Sequence, residues 1–169
     1  PWLIGYFLRN EPEFNFVENL KIANEVLRNP ADTCCRRGLI RFLREKYGHI
    51  DALNSSWGSS FDSFDAFRDP IGKCSEEYPG SFGDIREYSR FLVREYIRIP
   101  SEACRKEDQN HLNLGLRWSK ADNPDMMVGW EYFDVFSINC YDFDPSADMD
   151  FVKKCLRHFN PLAPIHGGI

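Results

Sequence analysis

The sequence contains no apolar run approaching the roughly 20 residues that a membrane-crossing helix needs, so no membrane partner is expected of its 169 residues. Excess positive charge is also missing. Lys and Arg number 21 against 26 Asp and Glu, a formal net charge of −5. The basic residues are spread out, and Arg36-Arg37 reads as a solvated helix face. A nucleic-acid surface would need its cations gathered on one side, so no nucleic-acid partner is expected. Six cysteines (34, 35, 74, 104, 140 and 155) include no C-x-x-C pair, and the four histidines are not spaced with them as zinc ligands would be. They read as small buried or semi-buried apolar side chains, a usage that favours a reducing, cytoplasmic compartment. No glycine-rich G-x-G-x-x-G follows any strand-like run, so the dinucleotide-binding fold loses its marker. Internal repeats and low-complexity stretches are lacking too. Pro1-Trp2 leads straight into an apolar run without a signal peptide, and the chain reads as an excerpt of a longer protein.

What is present is an α/β pattern. Trp2 to Leu8 is apolar nearly throughout, as expected of a strand buried on both faces of a parallel sheet. Residues 13–28 carry a loosely helical pattern that Asn29-Pro30 stops. Asp32 and Thr33 are candidate caps for a helix ending at Gly48, and a short helix with Ile50, Leu53 and Trp57 closes at Gly58. A long loop bearing Phe61, Phe64, Phe67 and Tyr78 leads to Asp84, a candidate cap for a helix with Ile85, Tyr88, Phe91, Leu92, Tyr96 and Ile99 on its apolar side. Strands are expected over Leu112–Trp118, Phe133–Tyr141 and Leu162–His166, with a helix between the last two. Strands joined by helical crossovers give a doubly wound sheet or a (β/α) barrel. The barrel is the better match, and four strands are half of one.

Asn10-Glu11-Pro12 ends the first strand, placing an amide and a carboxylic acid where such barrels keep their chemistry. Two readings stand on the residues alone. Glu11 is a proton donor if its surroundings raise its pKa, or Asn10 or Glu11 caps a helix opened by Pro12.

The segment Gly5-Tyr-Phe-Leu-Arg-Asn10-Glu11-Pro12 resembles the fourth barrel strand of clan A glycoside hydrolases, and Leu43-Arg-Glu-Lys-Tyr47-Gly48 through Asn54, Trp57-Gly58 and Phe61 is similar to a signature of their β-galactosidase and β-agarase-like branch. The resemblance implies a partial (β/α)8 TIM barrel, residues 1–169 being the C-terminal half of a catalytic barrel, roughly its fourth to seventh strands. It implies a retaining β-glycoside hydrolase with Glu11 as general acid/base and Asn10 on the sugar hydroxyl beside the reacting carbon. It also implies that Trp118 is a platform or wall for the sugar and that Tyr141 sits near the nucleophile. Asn139 faces the cleft or braces it. Trp57 and Phe61 line a sugar subsite or pin the long loop, and strand-terminal Trp118 and Tyr141 also have packing as an alternative. The carbohydrate is the one partner implied besides the remainder of the barrel; no cofactor and no metal is called for.

The departure from the family pattern lies at the C-terminus. Where a nucleophilic Glu should follow Pro164-Ile-His-Gly-Gly168, the residue is Ile169. Either the chain stops there within its parent's barrel or the acid is lost, and in the second case a non-catalytic carbohydrate-binding or structural remnant is the alternative function. A half barrel leaves open sheet edges and apolar residues uncovered. The isolated chain is therefore expected to self-associate; a monodisperse, cooperatively melting monomer in sedimentation and thermal denaturation would contradict this.

Overall fold

The computed structural model describes residues 2–120, 122–141 and 144–159. In chain order the elements are β1 (Gly5–Tyr6), β2 (Arg9–Asn10), α1 (Ile22–Arg28), α2 (Cys34–Tyr47), α3 (Ile50–Trp57), α4 (Cys74–Glu77), α5 (Phe82–Glu107), β3 (Leu112–Asn113), β4 (Leu116–Trp118), β5 (Ser137–Ile138) and α6 (Ser146–Phe159), with short 3-10 turns between several of them. The expected strand Leu162–His166 and the nucleophile position at Ile169 lie outside the described residues. The contacts divide the chain into two compact units, Val17–Leu92 and the pair of segments Pro1–Phe16 and Val93–Ile169.

The discontinuous unit holds the sheet. β1 pairs parallel with β3, and β2, β4 and β5 form a parallel three-stranded sheet in that order. Of the strand expected over Trp2–Leu8 only Gly5–Tyr6 pairs, a second piece following beyond it at Arg9–Asn10, and the strand expected over Leu112–Trp118 forms as two short pieces. Gly115 divides the latter by taking φ of 74°, a left-handed conformation that costs glycine nothing sterically. The same register nevertheless runs through both pieces, and Leu8 N–H bridges the gap to Gly115 C=O at 3.0 Å. The strand expected over Phe133–Tyr141 pairs only at Ser137–Ile138. Asp134 and Val135 N–H both donate to one carbonyl, that of Asn113, at 3.0 and 3.2 Å, which leaves no ladder there. Leu116, Trp118, Ile97, Met126 and Met127 make the buried side of this unit.

The helical unit is built from α1 to α4 and the part of α5 up to Leu92. Continuous helix over 13–28 does not form, because Asn19 and Leu20 take φ of 51° and 54° and break the helical path before α1. Thr33 caps α2 by accepting from Arg36 N–H at 3.1 Å. Helices α2 and α3 end as expected at Gly48 and Gly58. Leu27, Leu39, Leu43, Leu53, Phe67 and Ile85 form the centre of the core. Cys74 is buried, but Cys34 and Cys35 are exposed at the start of α2, against the expectation that all six thiols are covered. Residues Phe91, Tyr96 and Ile99, expected on an apolar face of α5, are 51, 38 and 57% exposed.

Asp84 does not cap α5. The helix begins at Phe82, and the Asp84 side chain is buried within the first turn. Its carboxylate accepts from Tyr47 OH at 2.6 Å, Trp57 Nε1 at 2.7 Å and Lys46 Nζ at 2.8 Å. One acid therefore ties the end of α2 and the end of α3 to α5. It also holds the Lys46 ammonium well above its ordinary pKa, with Glu87 adding to the effect. Replacing Asp84 by Ala would leave the buried Trp57 indole N–H without a partner and Tyr47 OH with Ser56 Oγ alone, at a cost of about 1–3 kcal/mol. Denaturant unfolding of the full-length protein followed by tryptophan fluorescence checks this, and an unchanged midpoint would contradict it.

Candidate active site

In a parallel sheet the chemistry gathers where the strands end, because the connecting loops there bring side chains from several strands together. Three ends meet in the discontinuous unit. Strand β2 finishes at Asn10 and the next residue is Glu11, whose N–H donates to Arg117 C=O at 2.8 Å. Glu11 takes φ of 44°, the left-handed region that a residue with a side chain adopts only when its surroundings hold it there.

The segment after Glu11 supplies that hold. Pro12 is buried, and its C=O accepts from Asn15 N–H at 2.8 Å, closing a 3-10 turn over Glu13–Phe16. Phe14 packs edge-on against Trp118 at 5.7 Å and Tyr96 at 4.8 Å. The buried Asn15 amide donates to Ser119 Oγ. Glu11 thus starts a short, anchored turn and caps no α-helix, which decides against the capping alternative.

The third strand completes the cluster. Asn139 follows β5, and its N–H donates to Trp118 C=O at 2.6 Å. Asn139 Nδ2 donates to Glu11 Oε1 at 2.5 Å, and Tyr141 OH donates to the same oxygen at 2.5 Å. Asn139 is buried, whereas Tyr141 is 79% exposed. The Tyr141 and Asn139 hydrogen bonds hold the Glu11 carboxyl below the usual carboxylate range, with the Arg117 charge adding slightly and burial opposing. In return the bond to Glu11 pushes the Tyr141 phenol up. A donor poised by a raised pKa is not what these residues make on their own. Both hydrogen bonds favour the charged form.

The expected site residues therefore separate. Glu11, Asn139 and Tyr141 come together, with Asn10 exposed at the adjoining strand end. Trp118 does not join them. It is fully buried, edge-on to Phe14, so it supports the turn after Glu11 and offers no wall to a sugar. Alternation along β4 turns Arg117 to the other face. This exposed residue shares Glu11's side, and the sequence reading missed it. The available signal was the period of two: the residue beside a buried tryptophan faces away from it.

Trp57 and Phe61 are also placed in packing roles, within the helical unit. Trp57 is 2% exposed with its indole N–H on Asp84. Phe61 packs against Phe67 at 4.8 Å and Tyr78 at 5.2 Å. Its backbone is bracketed by Asn54, which donates to Phe61 C=O at 2.9 Å and accepts from Phe61 N–H at 3.0 Å. Both side chains pin the loop within this unit. Among the described residues no group of three His, Cys, Asp or Glu side chains is placed to hold a metal ion, and no helix is long and apolar enough to cross a membrane.

A family profile described as Beta-galactosidase, of glycoside hydrolase family 42, matches residues 13–158. The chain belongs to this glycoside hydrolase family. The match starts two residues after Glu11, so it covers the partners Asn139 and Tyr141 but not the acid itself. Beta-agarase B of Vibrio sp. (strain JT0107) is 26% identical over 160 residues, which are 90% of this chain and 17% of that protein. Beta-galactosidase Bga of Halorubrum lacusprofundi is 28% identical over 135 residues, 76% of this chain and 17% of that protein. Among solved structures, the agarase AgWH50C superposes with a TM-score of 0.76 at 26% identity, covering 92% of this chain and 23% of that one. An exo-beta-agarase gives 0.75 at 25% identity over 92% and 22%. The chain thus spans less than a quarter of the length of each of these family relatives.

The geometry makes Tyr141 the main reason that Glu11 holds its proton weakly. Tyr141→Phe removes the larger of the two bonds to the anion, so the Glu11 carboxyl should titrate at higher pH, nearer its ordinary value of 4.5. Carboxyl-carbon NMR of the wild type and variant measures this, and coincident titration curves would overturn it.

Proposed function

We propose that the chain is part of the catalytic (β/α)8 barrel of a retaining β-glycoside hydrolase that acts on β-galactosides or related polysaccharides, with Glu11 as its general acid/base. The observation that carries the reading is the meeting of Glu11, Asn139 and Tyr141 at the carboxyl ends of neighbouring parallel strands. Family membership and the agarase and β-galactosidase relatives support the chemistry. In the first step Glu11 gives its proton to the glycosidic oxygen as the C–O bond breaks and a second carboxylate bonds to the anomeric carbon. In the second step the Glu11 carboxylate takes a proton from water, whose oxygen attacks that carbon and releases the second carboxylate.

The depressed proton affinity of Glu11 has a definite place in this cycle. A carboxylate is what the second step needs. For the first step, a second carboxylate about 5 Å away raises the affinity by like-charge repulsion, against the pull of Tyr141 and Asn139. In this reading Asn10, exposed at the strand end, donates to the sugar hydroxyl next to the reacting carbon.

The same low proton affinity favours a second reading, a barrel that binds carbohydrate without turnover, since two donors that stabilise the anion oppose acid catalysis. Kinetics separate the two. Full-length Glu11→Gln is expected to lose about 10²- to 10⁴-fold on agaro-oligosaccharide. On nitrophenyl β-galactoside, whose leaving group needs no proton, only the second step should fail, and azide should restore part of the turnover. Equal activity in both proteins would remove Glu11 from the mechanism, and inactivity of the wild type would establish the binding reading.

A further inference from the structure

Arg117 has no assigned role, yet it adjoins the candidate site. Its backbone carbonyl receives Glu11 N–H at 2.8 Å and its Cα is the register partner of Asn10. The guanidinium lies over the Phe7 ring, 5.5 Å from its centroid. Phe7 is itself 50% exposed in this chain, and Arg117 is exposed with it. The charge is close enough to be felt at both the Glu11 carboxylate and the Tyr141 phenol. Among the described residues no carboxylate comes within ion-pair distance of it, and the stacking on Phe7 is its one side-chain partner.

A guanidinium held flat by an aromatic ring is a preorganised fork of N–H donors that loses little freedom when it binds. Such a fork can take an anion or the lone pairs of adjacent hydroxyls. The charge balance chooses between them. Glu11 is an anion in this geometry, and the retaining reaction needs a second carboxylate nearby. Two carboxylates beside the bound ring repel an anionic substituent on it, which disfavours a sulfated or carboxylated sugar. We propose that Arg117 anchors the sugar ring lying against Glu11, donating from its guanidinium to neighbouring hydroxyls of a neutral saccharide. The assignment rests on the glycoside hydrolase reading above.

Binding measured apart from turnover tests it. In full-length protein carrying Glu11→Gln, calorimetry with agaro-oligosaccharide should show Arg117→Met weakening Kd by about 10- to 100-fold, the loss of charged hydrogen bonds. In the active background Arg117→Met should raise KM on the same saccharide by a similar factor with kcat within about threefold, as removal of uniform binding does. An unchanged Kd overturns the assignment. So does a collapse of kcat at unchanged KM, which would mean that Arg117 serves the reacting carboxylates. Sulfated oligosaccharide that binds more tightly than neutral in an Arg117-dependent way overturns the neutral class. Should Arg117→Met fail to fold by circular dichroism, Arg117→Lys keeps the charge without the fork, and a Kd within about twofold of the parent's then overturns the proposal. A Glu11→Gln parent that binds no saccharide contradicts the glycoside reading itself, whereas binding indifferent to Arg117 contradicts only this assignment.

Discussion

The parallel register between residues 5–10 and 112–117 is the constraint on which the candidate site depends. It brings the Glu11 N–H onto the Arg117 carbonyl and sets the end of one strand beside the end of the next. A slip of one residue would exchange the faces of Arg117 and Trp118, burying a guanidinium where Phe14 now meets an indole. The burial of Trp118 against Phe14 therefore holds the register, and the register in turn holds Glu11. The left-handed backbone at Glu11 is tolerated because both of its neighbours are committed, Asn10 to the ladder and Pro12 to the anchored turn.

Buried and exposed aromatic residues divide the labour accordingly. Phe14, Trp118 and Tyr96 pack edge-to-face and support the turn from beneath, an arrangement that adds directionality to apolar burial. Phe7 and Tyr141 stay open and attend to polar partners, the Arg117 guanidinium and the Glu11 carboxylate. Aromatic content alone does not mark a sugar site in this chain. What distinguishes the two sets is whether a residue packs beneath the turn with Trp118 or lies beside the polar groups around Glu11.

The long signature from Lys46 to Phe61 works as a folding element of the helical unit. Lys46, Tyr47 and Trp57 converge on the Asp84 carboxylate, and Asn54 fastens the loop at Phe61 through both its amide groups. Residue types that must satisfy one buried acid cannot drift independently, because each orphaned donor costs the core a hydrogen bond. The motif serves the architecture of this unit, while Glu11, Asn139 and Tyr141 meet on other elements.

Local rules determined a good deal of this protein. Gly48 and Gly58 end their helices, Thr33 begins one, and Asn10-Glu11 stands at the end of a parallel strand, all from patterns spanning a few residues. Tertiary structure alone decided the rest. Glu11 is held as an anion by Asn139 and Tyr141, more than a hundred positions away in the chain. Asp84 has the form of a helix cap, yet it is a buried acceptor because three donors from α2 and α3 reach it. Trp118 and Arg117 differ by one position, and only the packing of Phe14 settles which of them faces the helices and which the acid. Caps and strand ends depend on backbone geometry that neighbours in sequence impose. Proton affinity and side-chain facing depend on which groups share a low-dielectric space, and the folded chain is what brings those groups together.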